Sequence, residues 1–150
     1  MKQRSKCALS ACLDFIGDKW SLLIIRDMIF FKKKTFNDFL TSKEGIASNI
    51  LTNRLKNLLS ERYIQYRINP NNKKVKWYYL TNKGINTYPI ISEMMKWTVK
   101  NSNLVYSEKS INLVKKFSDK QSTAFQRKII SSYSDSRNDI IENSLQNSSF

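Results

Sequence analysis

Hydrophobic positions in the first half of the chain fall at helical intervals. Residues 7–16 form a short amphipathic helix on this pattern, and after a break at Gly17 the positions Trp20, Leu23, Ile24, Asp27 and Met28 predict a second helix. The run KKKTFNDFL opens with three lysines that cannot be buried. It then offers Thr35 as an N-cap, Asp38 three residues later, and Phe36, Phe39 and Leu40 for packing, which describes a short third helix. Gly45 supplies a turn, after which Leu51, Leu55, Leu58 and Leu59 repeat at helical spacing and must face a core. Asn49, Thr52, Asn53 and Lys56 project largely elsewhere.

The pattern then changes character. Residues 63–68 read as a strand, NPNNKK as a polar turn and residues 75–80 as the returning strand, so the expected unit is a hairpin with a basic tip. Thr81 precedes another helical segment, in which Ile85, Tyr88, Ile91, Met94, Met95 and Trp97 give a broad apolar surface. Pro89 either kinks that helix or marks its start. Beyond Asn101 the texture turns to Ser, Asn and Lys. Ile111, Val114 and Phe117 suggest one short helix, residues 123–133 a second, and the closing SLQNSSF is expected to fray. The fold class expected is mainly α with a small β hairpin: residues 7–100 as a winged helix-turn-helix and residues 101–150 as a C-terminal helical extension.

Composition narrows the possible partners. The 150 residues suffice for one main domain with a real core. Against 12 acidic residues stand 26 basic ones, a formal charge of +14. Residues 1–100 carry 19 of the basic and 7 of the acidic groups, so the excess lies at the front of the chain. Such a balance favours a polyanionic partner over an acidic protein surface or an anionic membrane, without separating the three. Two cysteines and no histidine exclude zinc sites built from Cys and His and His-based catalysis, and leave Cys7 and Cys12 for thiol chemistry. Asp14, Asp18 and Lys19, then Arg26 and Asp27, interrupt the apolar stretches near the start. Neither a cleaved signal peptide nor a membrane span is expected, and the cytoplasm is the default location.

The order helix, short helix, turn, longer helix, strand, basic turn, strand is that of a winged helix-turn-helix. In that geometry the second helix of the pair enters the DNA major groove, where Asn pairs with adenine, Arg or Lys with guanine, and Thr with a base edge or methyl. Asn49, Thr52, Asn53, Arg54 and Lys56 supply those chemistries, although Arg54 equally suits a phosphate contact or an internal ion pair and the others a solvated face. Arg67, Lys73, Lys74 and Lys76 equip the wing to neutralise phosphate or enter a minor groove, against the plain alternative of a solvated hairpin. Lys32, Lys33 and Lys34 are either a backbone contact beside the helix pair or a soluble turn. Trp77 and Tyr79 alternate with Tyr78, so at least one strand face packs the core and base stacking on exposed rings is disfavoured.

The segments CALSACLDFIGDKWSLLIIRDM, TFNDFL, GIASNILTNRLKNLLSERYI and YYLTNKG together resemble the HxlR-type family of bacterial winged-helix transcriptional regulators, from about Cys7 to Trp97. The resemblance implies a cytoplasmic homodimer on two-fold symmetric double-stranded operator DNA, usually as a repressor, with no cofactor or metal and no membrane. Gly17 then permits the tight turn between the first two helices, and Trp20 fills the junction beneath the reading unit. The family opens its reading helix with a Ser cap and a Pro, where this chain has Ala47 and Ser48, so Ser48 is expected to cap a helix that begins one residue later. Look-alikes dimerise through the first helix and the long helix after the wing, which implies Leu9, Leu13, Ile91, Met94, Met95 and Trp97 as interface residues or as core. Cys7, beside Arg4 and Lys6 in sequence, matches a cysteine with which some members sense an oxidant or small electrophile. The alternatives are a protein-interaction adaptor and a sequence-nonspecific architectural DNA-binding protein. An enzyme is the weakest class: Asp14, Asp18 and Asp27 define no pair around a pocket, and no Gly-rich phosphate loop appears.

Overall fold

The computed structural model describes residues 6–120 and 122–145. Arg4 and most of the expected frayed end lie outside them. The elements follow in the order α1 (Ala8–Ile16), α2 (Lys19–Phe31), α3 (Phe36–Leu40), α4 (Ser48–Ser60), β1 (Ile64–Asn69), β2 (Asn72–Leu80), α5 (Asn82–Ile85), α6 (Tyr88–Asn101), α7 (Glu108–Ser118) and α8 (Ser122–Leu145). This is the mainly helical architecture with one antiparallel hairpin that the residue pattern implies.

Local chemistry explains most boundaries. Asp18 caps α2 by accepting the amides of Trp20 and Ser21, each at 3.0 Å. Thr35 and Asp38 form a reciprocal capping box at α3, with Thr35 Oγ1 accepting the Asp38 amide at 3.1 Å and Asp38 accepting the Thr35 amide at 2.8 Å. Gly45, at φ +66°, makes the left-handed turn between α3 and α4 that a side chain would strain. At Gly17 the backbone is ordinary right-handed, and the constraint is space: a Cβ there would stand 2.4 Å from the Leu13 carbonyl oxygen. Pro89 lies in the first turn of α6 and so marks its start, where the missing amide costs nothing.

Two expectations are corrected. Ser48 does not cap α4. Ala47 occupies the N-cap position without a side-chain bond, and its carbonyl already accepts the Leu51 amide at 2.9 Å, so Ser48 is the first helical residue. The last helix extends well past residue 133, running 24 residues from Ser122 to Leu145, with Tyr133 and Ile140 both buried.

The core gathers Ile25, Met28, Ile29, Phe39, Leu51, Leu55, Leu58, Ile64, Leu80 and Tyr88 from α2, α3, α4, the hairpin and α6. Phe117 of α7 and Tyr133 of α8 belong to the same cluster, with Phe117 edge-on to Tyr88 at 6.0 Å between ring centroids. In the hairpin Ile64 pairs with Leu80 and Gln65 with Tyr79. Tyr78, Tyr79 and Leu80 are buried in succession, which requires cover on both faces of β2; α8 packs against both strands. Trp77 is half-buried beneath the Lys34 ammonium, 4.1 Å from its ring centroid.

Candidate nucleic-acid interface

The apolar stripe of α4 sits in the core and leaves the opposite stripe open. Leu51, Leu55 and Leu58 are buried, while Ser48, Asn49, Thr52, Asn53, Lys56 and Asn57 are exposed. Their polar groups make only local bonds: Thr52 donates to the Ser48 carbonyl at 2.8 Å, Asn49 accepts the Ile50 amide at 2.9 Å, and Asn57 donates to Asn53 at 3.3 Å. Water or a base edge can replace such exposed contacts at little cost, so this stripe is chemically available.

Arg54 belongs to a different part of the structure. Its guanidinium meets the Asp18 carboxylate at 3.4 Å, and its side chain is about one-third exposed. The arginine thus ties α4 to the N-cap residue of α2, an internal ion pair among the base-edge, phosphate and ion-pair roles its sequence position allows.

A buried network fixes the turn that aims α4. Asp27 of α2 is 3 % exposed. Its carboxylate accepts from Arg26 Nε at 2.9 Å, from Lys33 Nζ at 2.7 Å and from the Ser42 hydroxyl. Arg26 also meets Glu44 at 2.7 Å, and Ser42 and Glu44 both lie in the segment between α3 and α4. Burial alone would raise the Asp27 pKa, but hydrogen bonds from Lys33, Ser42 and Arg26 outweigh it and hold the carboxyl below its ordinary range. The sequence signal for this network was a charged pair, Arg26–Asp27, inside an otherwise apolar helix face. Its partners are 6 to 18 residues further on, beyond the reach of helical periodicity.

Each lysine of the 32–34 run already has an intramolecular partner. Lys33 is committed to Asp27. Lys32 donates to the Ile29 carbonyl at 3.0 Å, lies 5.2 Å from the Tyr133 ring centroid, and burial pushes its pKa down. Lys34 stacks over Trp77 while its carbonyl accepts the Tyr78 amide at 2.6 Å, fastening the loop before α3 to β2.

The wing keeps the basic character its sequence implies. Arg67, Lys73, Lys74 and Lys76 are exposed, and Lys76 lies 4.3 Å from the Tyr66 ring centroid. The turn is tighter than NPNNKK implies, since β2 already starts at Asn72 and carries Lys73 and Lys74 as strand residues.

Of the apolar residues assigned to a dimer interface, Leu9, Leu13, Met94 and Trp97 are 52 to 67 % exposed. Met95 is half-buried against the core, and Ile91, 5 % exposed, belongs to the core cluster. Cys7 is exposed at the N-cap of α1, and Cys12 is half-buried. Among the described residues no group of His, Cys, Asp and Glu could hold a metal ion, and no helix is long and apolar enough to cross a membrane.

Comparison with known proteins agrees with this geometry. The sequence model for the HxlR-like helix-turn-helix matches residues 15–106. An uncharacterized HTH-type transcriptional regulator of Bacillus subtilis (strain 168), YybR, is 33 % identical over 113 residues, covering 73 % of this chain and 86 % of its own. Among solved structures, PA1607, a candidate transcription factor, superposes with a TM-score of 0.61 at 30 % identity over 69 % of this chain and 73 % of that one. The redox regulator HypR in its oxidized form gives 0.57 at 28 % identity over 65 % of this chain and all of its own.

Proposed function

The chain belongs to the HxlR-like helix-turn-helix family of DNA-binding transcriptional regulators, and from that premise we propose that it acts in the cytoplasm as a homodimeric repressor on a two-fold symmetric operator. The observation that carries the reading is the exposed stripe Asn49, Thr52, Asn53 and Lys56 on a helix whose other face is locked into the core. Asn and Thr read base edges, Lys56 reaches guanine or phosphate, and the wing cations Arg67, Lys73, Lys74 and Lys76 neutralise the adjoining backbone. The exposed residues Leu9, Leu13, Met94 and Trp97 on α1 and α6 supply a dimer surface, which Met95 borders. A dimer would present two α4 helices to successive major grooves.

Cys7 is the thiol on which an oxidant or small electrophile would act in this scheme. It stands exposed at the start of α1, two residues before Leu9 and six before Leu13, so a modification there alters the helix that carries half of the dimer surface.

Capture of genomic fragments by the purified chain under reducing conditions, at near-physiological salt, tests the proposal. Recovery of one palindromic motif supports operator binding. Equal retention of all sequences turns the reading toward an architectural DNA-binding protein, and retention of none toward an adaptor for an acidic protein partner.

A further inference from the structure

We propose that the groove between α2, α6 and α7 binds a small amphipathic organic anion, a carboxylate carried on an aromatic or branched apolar body. The groove has a volume of about 830 Å³, within the size of sites that bury a whole small molecule. Leu22, Phe30 and Phe31 of α2, Met94 and Met95 of α6 and Leu113 of α7 give it apolar walls. Phe31, which lies outside the proposed dimer surface, is 62 % exposed, so apolar surface is left uncovered along the groove.

Charge decides the other half of the ligand. Arg26, Lys33, Lys43 and Lys109 line the groove against only two carboxylates, Asp27 and Glu44. The carboxylates are already engaged by Arg26 and Lys33. Among the described residues no ion pair engages Lys43 or Lys109. An anion therefore finds cations beside an apolar wall, whereas a cation or a neutral polar molecule finds no uncompensated partner.

The same site reaches the DNA-binding unit. Glu44 precedes the Gly45 turn that leads into α4, and Arg26 holds Glu44 from the groove wall. A bound carboxylate competes with Glu44 for Arg26 and loosens the turn that aims the reading helix. This coupling rests on the DNA-binding reading above, while the binding itself does not.

The test is isothermal titration of the full chain with 2-naphthoate as probe and 2-naphthamide as its neutral match. The expected result is one site per chain, with the amide bound about 10-fold more weakly, equal to about 1.4 kcal/mol. Val99→Trp, which fills the groove from α6, is expected to abolish the heat. Lys43→Gln with Lys109→Gln keeps the test open should the tryptophan variant fail to fold, and is expected to weaken 2-naphthoate about 5-fold while leaving 2-naphthamide unchanged. No heat with the naphthoate, heat insensitive to both sets of variants, or equal affinity for the amide overturns the site. Sedimentation showing that Val99→Trp converts a dimer to monomer, with no naphthoate heat in the unmodified chain, overturns it in favour of a second copy seated in the groove. Retention of captured DNA fragments, repeated with saturating 2-naphthoate, should fall; unchanged retention overturns the coupling. A chain that binds naphthoate but no DNA would sink the operator reading and leave the groove assignment standing.

Discussion

The phenolic oxygen of Tyr133 accepts the backbone amide of Leu80 at 2.7 Å, across 53 residues of sequence. Both groups are buried, so the last helix satisfies a donor of β2 that no third strand is there to meet among the described residues. The C-terminal extension is thereby joined to the wing, and the hairpin is anchored at the end nearest the core.

Replacing Tyr133 with Phe keeps the ring and removes the acceptor. The orphaned Leu80 amide should cost about 2 kcal/mol, read as a lower urea midpoint at unchanged slope. A midpoint within experimental error of the parent would show that α8 is not needed to hold the wing.

Alkaline stability follows from two buried phenols. Burial pushes both Tyr88 and Tyr133 up to about 12. Because the unfolded chain loses these protons near the ordinary tyrosine value while the folded chain keeps them, their contribution is whole below pH 10 and declines as pH rises from about 10 to 12. Ultraviolet titration of phenolate should show two tyrosines ionising last, together with unfolding. All seven titrating as one class near pH 10 in the folded chain would contradict the packing.

Asp27→Asn should be among the most damaging single substitutions outside the apolar core. It leaves Arg26 and Lys33 without their shared anion in a half-buried site, at a cost of about 3 kcal/mol. The folded pKa of Asp27 is depressed, so its stabilisation is present at neutral pH and is lost as pH falls below the ordinary aspartate value. The difference in unfolding free energy between parent and variant should therefore shrink on acidification. A constant difference from pH 7 to pH 3 would remove the carboxylate from this role.

On DNA, α4 and the wing should separate by the kind of loss. Asn53→Ala is expected to cost about 1–3 kcal/mol on the captured motif and little on random duplex. Lys73→Gln and Lys74→Gln should weaken both alike and each flatten the salt slope by about 1. Fluorescence anisotropy across a salt series distinguishes them, and an Asn53→Ala loss equal on both duplexes would reassign that residue to the backbone.

Much of the architecture was legible along the chain because the forces that shape it are local. The leucine spacing of α4, the capping box at Thr35 and Asp38 and the Gly45 turn each act within a few residues and stand in the structure as read, and the basic hairpin stands with a tighter turn and a longer second strand. The exposed stripe of α4 followed directly, since a helix that buries Leu51, Leu55 and Leu58 must turn Asn49, Thr52 and Asn53 outward.

Which cations are available was not legible, because an ion pair depends on what the fold brings near. Three adjacent lysines look alike in sequence, yet Lys33 ends on Asp27, Lys34 on Trp77 and Lys32 on the ring of Tyr133, over a hundred residues away for the last. Arg54 is likewise taken by Asp18, 36 residues upstream. Periodicity and capping determined the helices, the hairpin and the face that α4 turns to solvent. Tertiary packing alone decided which charges are spent inside, that α8 closes over the wing, and that α2, α6 and α7 enclose a groove, because burial and pairing are set by distances between elements that no local spacing contains.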